Sequence, residues 1–102
     1  MKVIYKYVLT GGTGVQTIEL PVNSVILSCV NQGNRPVLYA MHEKEQEDTQ
    51  KVEIVTVETG KAVSSEIMDK CQFVSTVSLF EGSYILHVFV NICGSFGVTL
   101  RK

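Results

Sequence analysis

Seven short runs in which apolar and β-branched residues alternate with polar ones, each closed by turn chemistry, leave this chain few folds to adopt. Such runs at regular spacing mark an all-β sandwich or barrel. Strands are predicted near 2–9, 15–20, 24–32, 36–42, 51–58, 72–79 and 83–90, with a weaker eighth over 97–101. "TGGTG" (10–14) supplies the first turn, Pro21 closes the second strand because it has no donor for a ladder, and "NQGNRP" (31–36) carries a Gly-Asn pair suited to a hairpin. "EGS" (81–83) joins the last strong pair. Within "KAVSSEIMDKC" (61–71), Ser64 or Ser65 is placed to cap one helical turn near 64–70, with Ile67 and Met68 packing inward. The expected fold is a small antiparallel sandwich or barrel-like domain of about seven or eight strands.

The period of two also assigns faces. In "VIYKYVL" (3–9), Val3, Tyr5, Tyr7 and Leu9 share one side, while Ile4, Lys6 and Val8 share the other. Lys6 is then either an ordinary solvent-facing amine or the cationic centre of a half-buried anion site. In "SVILSCV" the series Val25, Leu27, Cys29 is expected on one face with Ser24 and Ser28 opposite. In "SYILHVFV" both faces carry apolar residues, which predicts that the second face meets another subunit, most simply in a twofold dimer.

One domain is expected over 1–102, with 91–102 as an extension that forms an extra strand or a dimer arm. The 45% hydrophobic content supplies a single core, and no stretch approaches the roughly 20 apolar residues of a membrane helix. The opening residues lack a signal peptide's apolar region, and Cys29, Cys71 and Cys93 are neither paired nor closely spaced. A reducing cytoplasm, without membrane association, is therefore the expected compartment. Charge is uneven: residues 1–42 balance at +2, 43–69 at −5 and 70–102 at +2. A chain without a broad basic surface is a poor binder of long nucleic acid, yet it can place a few cations around a small anion.

Catalysis needs a nucleophile, base or metal in company. His42 and His87 both lie in predicted strands without metal-ligand spacing. No serine or cysteine sits in a nucleophile elbow, and the glycines of 10–14 lead into a strand without the Lys-Ser/Thr of a phosphate loop. The acidic "EKEQEDTQ" (43–50) lacks calcium-loop spacing and reads as a solvated loop. No enzyme, metal or cofactor is expected. What remains is a set of rings and cations on strands: Tyr5, Tyr7, Tyr39 and Phe89 with Lys6, Arg35 and His87. Aromatic faces stack on bases, and lysine and arginine grip phosphates through charge-assisted hydrogen bonds.

Five segments, "YKY" (5–7), "QTIELP" (16–21), "ILSC" (26–29), "RPVLYAM" (35–41) and "ILHVFV" (85–90), follow in the order and spacing of a family of small phage β-proteins. Over residues 3–90 the chain resembles that family, whose pattern is I-[WY]-K-Y, T-I-x-L-P, I-L-S-V, L-W-A and H-V-F. It departs from it at Tyr39 (usually tryptophan), at Cys29 (usually valine) and in the tail 91–102. Within that group it is similar to the phage anti-CBASS sponges, which sequester cyclic oligonucleotide immune signals in the host cytoplasm without cleaving them. The resemblance implies a homodimer or higher homo-oligomer that binds a cyclic dinucleotide or trinucleotide. Tyr5, Lys6, Tyr7, Arg35, Tyr39, His87, Phe89 and, through the tail, Arg101 or Lys102 are the expected contacts. The alternative expectation is a non-enzymatic protein–protein module, a minor virion or host-takeover factor.

Overall fold

The computed structural model describes residues 1–101; Lys102, one of the expected phosphate contacts, lies outside the described residues. Eight strands form: β1 (Lys2–Val8), β2 (Gly14–Pro21), β3 (Val25–Asn31), β4 (Pro36–Glu43), β5 (Thr49–Glu58), β6 (Gln72–Leu79), β7 (Tyr84–Asn91) and β8 (Thr99–Leu100). A single helical turn, α1 (Ser65–Met68), precedes β6. The strands build two four-stranded sheets, β1-β4-β3-β8 and β2-β5-β7-β6. All pairings are antiparallel except β3 with β8. The expected all-β sandwich is therefore present, with no helix among the described residues long and apolar enough to cross a membrane.

Alternation explains the core. Leu38 and Ala40 from β4 face Val52 and Ile54 from β5 and Leu86, Val88 and Val90 from β7, all essentially without solvent contact. Burying an aliphatic side chain of this size contributes about 1.5–3 kcal/mol. The two layers are tied along the β3/β6 side. There the Cys29 amide donates to Ser75 Oγ (3.2 Å) and Asn31 Nδ2 donates to the Ser78 carbonyl (2.9 Å). The Gly-Asn turn is a two-residue hairpin: Gly33 and Asn34 both take positive φ (65° and 60°), and Gln32 N–H donates to the Arg35 carbonyl (3.0 Å). Positive φ at both central residues matches the right-handed twist of the flanking strands.

Two local expectations are corrected. The alternation in "SVILSCV" is broken by a bulge between Ile26 and Ser28, which turns Ile26 and Cys29 together into the core and leaves Val25 and Leu27 half-buried. An extra residue in one strand shifts every later side chain to the other face. Ser64 occupies the N-cap position of α1 without a side-chain cap bond, and Ile67 is exposed. The second face of β7, with Ile85, His87 and Phe89, is half-buried, and Lys61, Val63 and Met68 border it beside Val57, His87 and Phe89.

The segment 92–101 returns to its own chain. Thr99 N–H donates to the Ser24 carbonyl (3.0 Å) and Arg101 N–H to the Ile26 carbonyl (2.9 Å), which sets β8 beside β3.

Candidate functional site

The uninterrupted β1–β4 register gives Lys6 its neighbours. Cross-strand pairs share a face, so Lys2 stands beside Glu43, Ile4 beside Met41, Lys6 beside Tyr39 and Val8 beside Val37. These eight residues form the outer face of the first sheet, extended through β3 by Val25, next to Met41, and Val30, next to Val37. The core lies behind them, on the side of Leu38 and Ala40. The face is open along β1 and β3, with Ile4 55% exposed, Val8 51% and Val30 42%, while Tyr39 and Met41 are half-buried and Val37 is buried (2%). Lys6 stands in the middle of this apolar surface. The ion pair among the described residues joins the N-terminal ammonium to Glu43 (3.1 Å), so no carboxylate bridges Lys6.

The Tyr39 hydroxyl donates to Gln32 Oε1 (2.6 Å), which fixes the ring along the face toward the β3–β4 hairpin. At that end Arg35, exposed, borders a depression of about 410 Å³ with Val8, Leu9, Thr10 and Gly11. Ligand pockets run at roughly 300–1,000 Å³ and enclose most of a small molecule. An open depression of this kind supplies one wall only. Lys6 and Tyr39 are thus cross-strand neighbours, and Arg35 borders Val8 farther along, at the hairpin end.

The other expected contacts are elsewhere. Tyr5 and Tyr7 point to the inner side of β1, where Tyr7 packs on the core and Tyr5 meets the His42 ring edge-on at 5.0 Å. Burial, with the neighbouring Tyr5 phenol as a smaller cause, raises the Tyr7 pKa above its usual value. His87 and Phe89 lie on the outer face of the second sheet, along an open groove of about 230 Å³ bordered by Lys61, Val63 and Met68. His87 has both ring nitrogens engaged, Nε2 with Thr59 Oγ1 (2.7 Å) and Nδ1 with Thr76 Oγ1 (3.1 Å). Phe89 packs edge-on against Phe73 (5.5 Å). Arg101 sits by Phe73, Val74 and Leu100, at the end of β8. The eight candidates therefore divide among separate surfaces, with Lys6 beside Tyr39 and Arg35 farther along.

The period of two places Ile4 and Val8 as an aliphatic rim beside Lys6, whereas Met41 and Val30 reach the face only through strand pairing, which no local pattern records. Nor does the sequence signal a polar orphan. His42 is 5% exposed; its Nδ1 lies 2.8 Å from the Glu43 carbonyl and donates to it, and its buried Nε2 has no partner among the described residues. The thiols are unpaired: burial pushes Cys29 up to about 12, and burial followed by Glu53 and Cys93 raises Cys71. Thiols held protonated are poor nucleophiles. Among the described residues no three His, Cys, Asp or Glu side chains come together as a metal site.

A family model described as a domain of unknown function (DUF7352) matches residues 1–94. No curated protein and no solved structure matches the chain.

Proposed function

This chain belongs to the DUF7352 family, whose function is unknown, and we propose that it is a non-catalytic phage anti-defence protein of the host cytoplasm. On this reading it binds a cyclic di- or oligonucleotide immune signal between two copies and withholds it without cleavage. The observation that carries the reading is the Lys6–Tyr39 pair: a cation and a ring side by side on a largely exposed apolar sheet face, with no carboxylate among the described residues bridging the amine. A phosphate on Lys6 gains from the half-dry surroundings, because charge-assisted bonds strengthen where water is excluded. The Tyr39 ring offers a stacking surface worth about 1–3 kcal/mol per base. Arg35 at the hairpin end supplies a second phosphate contact. The resemblance to the phage sponges points to the same class of cargo.

A shift assay across cyclic mono-, di- and trinucleotides tests this. Binding to the native state alone raises stability by RT ln(1 + [L]/Kd), about 2.7 kcal/mol at a ligand concentration of 100 Kd. One cyclic nucleotide is expected to raise Tm and to be recovered intact after heat denaturation. Lys6→Ala and Arg35→Ala are each expected to weaken binding at least about tenfold, the value of a charge-assisted bond. Indifference to the whole panel sinks the reading, and a linear product replaces it with hydrolysis.

The second reading, a protein-binding module, draws on the reach of the apolar face: Ile4, Val8 and Val30 extend it past any single phosphate contact. It predicts no response to nucleotides and a defined host protein retained by the wild type and lost with Ile4→Asp.

A further inference from the structure

We infer that two copies join edge to edge through β1, in the antiparallel register centred on Tyr5, and that each copy's Lys6 completes the other's anion site. The location of the site rests on the reading above; the strand pairing rests on the fold.

An edge strand presents unpaired backbone groups, and proteins blunt such edges with prolines, bulges, short strands, covering segments or charged side chains, lysine above all. Two of the four sheet edges here are short or irregular. β8 is two residues long. β6 carries a bulge between Phe73 and Ser75 and is tied to β3 across the layers. β2 and β1 are both regular; β2 closes in Pro21. β1 runs seven residues without proline or bulge, and its side chains are largely exposed, Tyr5 by 55% and Ile4 by 55%. The device it does carry is Lys2 and Lys6, so any self-pairing of β1 has to keep these charges from opposing each other.

A twofold axis between antiparallel β1 strands stands perpendicular to the sheet, so outer faces stay outer and the axis passes midway between two copies of one residue. Registers centred on Ile4, Tyr5 or Lys6 engage most of the strand. Centring on Lys6 sets the two Lys6 side chains directly opposite each other; centring on Ile4 sets Lys2 opposite Lys6. Like charges in directly opposed positions are destabilising. Centring on Tyr5 pairs Lys2 with Val8, Val3 with Tyr7, Ile4 with Lys6 and Tyr5 with itself. It alone of the three opposes no lysine to a lysine, and it pairs all seven residues. The interface is isologous and closes at two copies, whereas β1 on β2 would be head-to-tail and propagate.

In that register one row across the shared sheet reads Tyr39, Lys6, then Ile4 and Met41 of the other copy, and its twin runs antiparallel beside it. The two Lys6 residues become diagonal neighbours, about 7–8 Å apart at their backbones. Two amines flanked by two Tyr39 rings on a continuous apolar face match a ligand with two phosphates and two bases about a twofold axis. A single copy has half of that set.

Cysteine pairing reads the register directly, in a Cys71→Ser, Cys93→Ser background. Directly opposed residues lie within disulfide reach, whereas backbones more than about 7 Å apart do not. Tyr5→Cys is expected to form a covalent dimer under mild oxidation. Ile4→Cys and Lys6→Cys are expected to cross-link when mixed and not singly. The unmodified protein is expected to sediment at twice its 11.3 kDa monomer mass. A monomer at high concentration, self-linking of Lys6→Cys, or assemblies that grow beyond two copies would each overturn the inference. A dimer that ignores every cyclic nucleotide sinks the functional reading and keeps the pairing; a monomer that binds one does the reverse.

Discussion

Cys29 carries a pH dependence that its position in the core creates. Its thiol is buried and raised to about 12, while an unfolded thiol ionises near 8.5. Above the unfolded value the native state binds the extra proton, so its contribution to stability is intact below about pH 8.5 and is lost progressively toward pH 12. Between pH 8 and 10 the wild type is expected to lose on the order of 2 kcal/mol more than Cys29→Val, measured by urea unfolding at both pH values. Tyr7, raised in the same direction, stays in both proteins and cancels in the comparison. His87 makes the opposite point about legibility. Its strand position was readable, but its two threonine partners come from positions 59 and 76, and only the closed sheet brings them to the ring.

At the scale of elements, β8 depends on one glycine. Gly97 adopts φ of +72°, and a Cβ there would collide with the Asn23 side-chain amide. Asn23 in turn donates its N–H to the Phe96 carbonyl (2.9 Å), so the tail and the β2–β3 turn fit together closely. Gly97→Ala is expected to cost at least about 1 kcal/mol for the left-handed backbone alone. The accompanying sign is fast hydrogen exchange at the Thr99 and Arg101 amides, with β4 unaffected. Strand existence at this scale was legible because turn residues bracket every run. The bulge in β3 was not, because a strict alternation and an alternation with one inserted residue differ by a single position and only packing chooses between them.

For the molecule as a whole, the sandwich is tied on the β3/β6 side and exposed at β1. Amides of the interior strands β4, β5 and β7 are expected to exchange only through global unfolding, since these strands are paired on both sides. On one copy alone, β1 amides are expected to exchange orders of magnitude faster, and to slow as concentration rises if β1 pairs with its twin. The class of fold, the strand runs, the hairpin at Gly33–Asn34 and the face on which Lys6 stands were all determined by sequence, because a period of two and the φ demands of a turn are local properties of the chain. The tertiary structure decided which strands became edges, that residues 59–71 border His87 and Phe89, and that Lys6 stands beside Tyr39 while Tyr5 and Tyr7 turn inward. Those outcomes depend on which strands pair, and pairing joins residues dozens of positions apart whose contact no local pattern records.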